Sequence, residues 1–203
     1  MGAIGIAAMG NVTARADDDG LYAGLSLGQI RQSINAQDPV SYDPTSGRFS
    51  PGVLVSSSHD SLGGALSLGY RLNQYFAAEL SFLNTGTAEN TYSFSNSASV
   101  VTASRVSGPV LSLLPSYSFG GSFRGYLRAG VLFAHKKSSQ ATALGEFAIT
   151  YGDTSWVGGV GAEYSLSEHW NMNLEYLRSG ALDEPVGSSD HLTAVTLGVN
   201  YKF

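Results

Sequence analysis

The sequence predicts an all-β protein: a single closed, up-and-down antiparallel transmembrane β-barrel of about eight strands. Three observations predict it. Apolar residues alternate with small or polar ones at period two through most of the chain after Gly20. The alternating segments are joined by connections that are short and long in turn. Only 13% of the residues are charged, about half the usual share, yet the mean hydropathy is +0.01. Beyond the N-terminus, no apolar run reaches the roughly 20 residues that a transmembrane helix needs.

The strands follow in order. Leu21, Ala23, Leu25 and Leu27 alternate with Tyr22, Gly24, Ser26 and Gly28. Leu62, Gly64, Leu66, Leu68, Tyr70 and Leu72 alternate with Ser61, Gly63, Ala65, Ser67, Gly69 and Arg71. Phe76, Ala78, Leu80 and Phe82 oppose Ala77, Glu79 and Ser81. Leu111, Leu113, Pro115, Tyr117 and Phe119 oppose Ser112, Leu114, Ser116 and Ser118. The pattern repeats around Leu127–Phe133, Val160–Leu166, Trp170–Tyr176 and Val195–Phe203. Successive side chains of a strand face opposite sides, so each segment has one bulky apolar face and one small or polar face. Pro115 removes a ladder donor, and a bulge or distortion is expected there.

Asn73-Gln74, Gly120-Gly121-Ser122 and Ser167-Glu168-His169 read as tight turns. Residues 31–58, 87–102, 136–151 and 181–189 read as long polar loops. All tight turns then lie at one end of the barrel and all long loops at the other.

Alternation alone does not decide which face is outside, since a soluble lipocalin-like barrel alternates too and turns its bulky face inward. Three features favour the inverted arrangement. The polar face is made of Gly, Ser, Ala and a few charges, which suits a narrow interior. Tyr70, Phe76, Tyr117, Phe119, Phe123, Tyr164, Trp170, Tyr201 and Phe203 gather near the tight turns, and Phe82, Phe133, Trp156 and Tyr176 near the long loops. Two such bands are expected at membrane interfaces. An export signal is the third: residues 3–9 (AIGIAAM) form a short apolar stretch, followed by Ala14-Arg15-Ala16 before an acidic run. Residues 1–16 are read as a signal peptide, with its basic n-region lacking, and 17–203 as the barrel.

A net charge of −5 argues against nucleic acid as a partner. The absence of Cys excludes structural disulfides and Cys-based zinc sites. His135, His169 and His191 show no metal-ligand spacing. Gly159-Val160-Gly161 lacks the third Gly of a dinucleotide loop, since Tyr164 occupies that position. No cofactor is expected.

Residues 157–178 (VGGVGAEYSLSEHWNMNLEYLR), residues 123–133 (FRGYLRAGVLF) and the terminal VNYKF resemble OmpA-like and opacity-type outer-membrane barrels, from about Gly20 to the C-terminus. The resemblance implies the outer membrane of a Gram-negative cell, lipid and lipopolysaccharide around the wall, and short periplasmic turns. It also implies an alternating C-terminal strand, Val199, Tyr201 and Phe203, read by the barrel-assembly machinery. The periplasmic peptidoglycan-binding domain of OmpA is not expected here.

The inward charges are Arg71, Glu79, Arg128, Glu163 and Glu175, with Lys202 as a further candidate. In so narrow a barrel they must pair or remain hydrated. The resemblance implies that Glu79, Arg128, Glu163 and Glu175 belong to an interior salt-bridge network. Two roles stay open, a structural plug or a switchable low-conductance gate. The expected function is structural or adhesive rather than enzymatic, with long loops offered to a host or surface ligand. The first loop carries Asp38-Pro39, Tyr42-Asp43-Pro44 and Arg48-Phe49. A small pore is one alternative. A lipid-modifying enzyme is another: His59 and Ser61 share one strand face at the long-loop end, the minimum for an activated nucleophile.

Overall fold

The computed structural model describes residues 19–33, 40–43, 48–51, 53–58, 60–94, 99–142, 145–183 and 189–203. The predicted signal peptide and His59 lie outside the described residues.

Eight strands form the wall: β1 (Gly20–Ser33), β2 (Asp60–Asn73), β3 (Phe76–Ser93), β4 (Ser99–Gly120), β5 (Phe123–Thr142), β6 (Gly145–Ser165), β7 (Trp170–Ser179) and β8 (Ser189–Lys202). Each pairs antiparallel with its successor. The ring closes where β8 returns to β1, from Tyr22 opposite Lys202 to Ser33 opposite His191. Closure leaves no edge strand inside a bilayer, where unpaired backbone groups have no water to satisfy them.

The tight turns are built by local chemistry. Asn73 Oδ1 accepts the amides of Tyr75 and Phe76 at 2.8 and 3.0 Å. Gly120 and Gly121 take φ values of 99° and 60°, a left-handed conformation that a side chain resists. Ser167 Oγ accepts the amide of Trp170 at 3.2 Å.

The bulky apolar face points outward on every strand. Leu25, Leu66, Leu80, Leu111, Leu127, Val160, Leu174 and Leu197 all stand exposed. The aromatic bands flank this belt on the outer surface, with Phe119 and Trp156 67% and 60% exposed. An apolar surface this continuous is far larger than a water-soluble monomer presents. The soluble lipocalin-like arrangement is thereby overturned.

Three features differ from the sequence reading. Within 87–102 and 136–151, expected as polar loops, residues 87–93, 99–102, 136–142 and 145–151 continue as paired strands: Tyr92 still faces Val100, and Gln140 faces Phe147. Where the wall leaves the apolar belt its outer residues turn polar. The hydrophobic signal fades while the backbone ladder continues. Within 31–58 there are further short strands: Val40–Asp43 pairs with Arg48–Pro51, and Val53–Ser58 pairs with β3 beyond the barrel rim. Pro115 makes no bulge, because Leu113 opposite Ala129 and Ser116 opposite Tyr126 keep one register. The irregularity in β3 falls instead between Asn84 and Thr87, where Gly86 has φ 73°. Thr85 seals that point: its hydroxyl oxygen accepts the Val106 amide at 3.1 Å and Gln32 Nε2 at 2.9 Å.

Candidate functional site

The lumen is stacked in layers. Nearest the tight turns, Glu163 of β6 sits between two arginines. Its Oε1 lies 3.1 Å from Arg71 Nη2 of β2 and 3.1 Å from Arg124 Nη1 of β5, and Asn200 Nδ2 approaches its Oε2 at 3.5 Å.

The next layer centres on Arg128 of β5. Its Nη1 donates to Glu79 Oε1 of β3 at 2.8 Å and to Ser112 Oγ at 3.2 Å. Its Nε and Nη2 bind the two oxygens of Glu175 on β7, the Nη2 bond being 3.0 Å. Tyr22 donates to Glu79 Oε2 at 2.9 Å, and Tyr126 to Glu175 Oε2 at 3.1 Å. One guanidinium thus links two carboxylates from strands on opposite sides, and each carboxylate is capped by a phenol. All three charged groups are buried, so each needs the others to offset its lost hydration.

Glycines make room for this layer. Tyr22 lies across Gly69, and Tyr126 across Gly161, each the glycine opposite it in register. A Cβ at either glycine would meet the ring carbon Cζ at 2.1 or 2.2 Å. The period-two Gly of the inward face therefore serves as a bed for the tyrosine rings, which aim their hydroxyls at the carboxylates.

Toward the hairpin end an apolar cluster follows. Ile30, Leu83, Val106, Val110, Leu132, Ala134, Val157, Leu182, Leu192 and Ala194 are buried together, with Ala65 and Leu177 against them. The interior is therefore not uniformly small and polar. Two cavities in the charged region measure about 20 and about 50 Å³, space for a water or two. The larger lies between the Arg128 layer and the apolar cluster, among Ser81, Leu83, Val110 and Glu175.

Arg71, Glu79, Arg128, Glu163 and Glu175 thus lie in two adjacent layers. Arg124 joins them without having been singled out in the sequence, although it shares a strand face with Tyr126 and Arg128. Lys202 is partly exposed near the tight-turn end. Val199 and Phe203 point outward. Tyr201 packs edge-on against Trp170 at 5.0 Å and against Phe203 at 5.3 Å. The Ser61 hydroxyl is engaged by the carbonyls of Thr85 and Ile30. Among the described residues no group of His, Asp and Glu is arranged to hold a metal ion.

A closed ring with an apolar outer belt, aromatic bands and a charged, packed lumen defines a membrane-spanning barrel of the bacterial outer-membrane type. The chain belongs to the outer membrane protein β-barrel domain family, which it matches over residues 2–203. It is 28% identical over 148 residues to outer membrane protein A of Serratia marcescens, covering 71% of this chain and 40% of that relative's length. Its fold is similar to that of Ail, the attachment invasion locus protein of Yersinia pestis, solved with the heparin analogue sucrose octasulfate. The TM-score is 0.52 at 16% identity, over 91% of this chain and 99% of that one. Neisserial surface protein A gives 0.53 at 14% identity, over 91% and 97%. The OmpA-like resemblance read in the sequence is borne out, and with it the outer membrane as location.

Proposed function

We propose that this protein is a plugged outer-membrane scaffold whose projecting hairpin arms bind a ligand at the cell surface. The observation that carries the reading is on the β5–β6 arm. Phe147 and Ile149 are 65% and 68% exposed, although they stand beyond the apolar belt. Ile149 lies 16 residues from Ser165, the end of β6 at the tight turn. At about 3.3 Å per residue and a tilt of about 40° that is roughly 40 Å along the barrel axis, more than the apolar band of about 25 Å. Phe147 and Ile149 share a strand face with Tyr151, and exposed apolar residues on an arm that rises through and past the headgroup level mark a contact surface. The tight turns then face the periplasm and the arms face outward. The heparin analogue bound by Ail, whose fold is similar, makes a sulfated glycan the first ligand to try.

The test expresses the protein in a non-adherent bacterium and measures attachment to immobilised heparin and to epithelial monolayers. Attachment above the empty-vector level, lost at least tenfold in Phe147→Ser/Ile149→Ser with the folded barrel retained, is the expected result. Attachment equal to the vector control, or unaffected by the double substitution, refutes the surface-binding role.

A further inference from the structure

We infer a binding site for a phosphorylated, multi-acyl glycolipid of the lipopolysaccharide type on the outer wall, with Arg105 and Lys137 holding the phosphate and a groove across β1–β3 holding an acyl chain. The inference rests on the reading above in one respect, that the hairpin end faces outward.

The first observation is a like-charge pair. Arg105 on β4 and Lys137 on β5 stand directly opposite each other in register, and both side chains are exposed. Like charges in facing positions oppose strand pairing. Among the described residues neither has a carboxylate partner. By contrast Arg31, another exposed outer arginine, is paired with Asp60 at 2.7 Å. An anion shared by Arg105 and Lys137 turns their repulsion into attraction, and a guanidinium with an ammonium suits phosphate.

The second observation is that Arg105 is held in place. Its Nε donates to Asn84 Oδ1 at 3.0 Å, and the same oxygen accepts the amide of Gly86 at 3.2 Å. The irregularity in β3 thus anchors the arginine by its Nε edge. The terminal nitrogens, the edge that grips phosphate bidentately, make no bond to the described residues.

The third observation is a groove of about 440 Å³ that begins at Arg105 and Asn84 and runs down the outer wall between Leu27, Leu62, Leu66 and Phe82. Gly64 forms part of its floor, so the belt is locally hollow where the neighbouring outer positions carry leucines. An open, apolar trough in the bilayer region that ends at Arg105, with Lys137 the outward cation opposite it on β5, has the two halves of an anionic lipid. The height agrees. Lys137 is four residues beyond Phe133 of the upper aromatic band, about 13 Å along a tilted strand and roughly 10 Å along the membrane normal. That is the headgroup level, within reach of side chains that extend along the interface. With the hairpin end outside, the leaflet at this level is the outer one, which selects the glycolipid over a glycerophospholipid.

The experiment uses the full chain in a neutral detergent. Purified lipid A, lipid A stripped of its phosphates, and phosphatidylglycerol are added separately, and retained lipid is counted by native mass spectrometry. The expected result is one lipid A retained by the wild type. Retention should fall at least tenfold for Arg105→Gln/Lys137→Gln and for the dephosphorylated lipid, and stay unchanged for Arg31→Gln. Equal retention of lipid A by the double variant, or equal retention of phosphatidylglycerol by the wild type, overturns the site. A double variant that loses the heat-dependent gel shift is replaced by the single variants Arg105→Gln and Lys137→Gln, each of which must lower retention severalfold; unchanged retention in both overturns the site. No surface ligand takes part, so a failure here leaves the attachment result standing, and the reverse holds too. Protease access to the arms on intact cells checks their orientation independently.

Discussion

Arg128 is a buried cation whose two partners come from β3 and β7, so removing it leaves Glu79 and Glu175 facing each other in a place that water barely reaches. Breaking a buried pair from one side costs about 3–5 kcal/mol, because the remaining charge is uncompensated. Arg128→Ala should therefore lower the temperature at which the unboiled gel band collapses. Adding Glu79→Gln and Glu175→Gln should recover most of the loss, since neutral amides no longer repel and still accept from Tyr22 and Tyr126. Thermal shift of the detergent-folded protein checks both steps. An unchanged collapse temperature in Arg128→Ala would show that the network contributes nothing to stability.

At the scale of the element, each strand carries its own share of the outer belt, which is why the belt was legible in the sequence. Leu62, Leu66 and Leu68 announce an apolar face on β2 without reference to any neighbour. The apolar cluster in the lumen was not legible, for the opposite reason. Ile30, Leu83, Leu132, Val157 and Leu192 come from five different strands, on inward faces that mix them with Gly, Ser, Thr or charged residues. Only closure of the ring assembles them. Arg124 was missed because it lies next to the Gly120–Gly121 turn, where a charge ordinarily meets solvent; the parity it shares with Arg128 was the available signal.

Val199 and Phe203 face outward, and Phe203 is the more exposed of the two. Its amide donates to Leu21 O at 3.0 Å, a backbone bond that any non-proline residue at this position can make. Phe203→Ser should therefore refold in detergent with nearly the wild-type collapse temperature, while its yield in the outer membrane of living cells falls severalfold. Quantitative blotting of membrane fractions beside in vitro refolding separates assembly from stability. Equal loss in both would make Phe203 a packing residue and not part of an assembly signal.

For the whole molecule, the order of the layers decides whether the lumen conducts. The Glu163 and Arg128 layers and the apolar cluster lie in series along the axis, so an ion must pass all of them, and the tightest sets the resistance. The charged layers should resist because their groups are already paired and the cavities among them measure about 20 and about 50 Å³. The apolar cluster should resist because an ion entering it loses hydration and gains no partner. Opening one layer leaves the next intact. Leu132 is fully buried in the cluster, and Leu132→Ala removes its volume at a cost of about 2–5 kcal/mol. In planar bilayers the wild type, Arg128→Ala and Leu132→Ala should each pass almost no current, and the double variant should show discrete openings. Openings in Arg128→Ala alone would make the charged layer the sole barrier and the apolar cluster permeable. Steady conductance in the wild type would turn the two layers from a plug into the walls of a narrow pore.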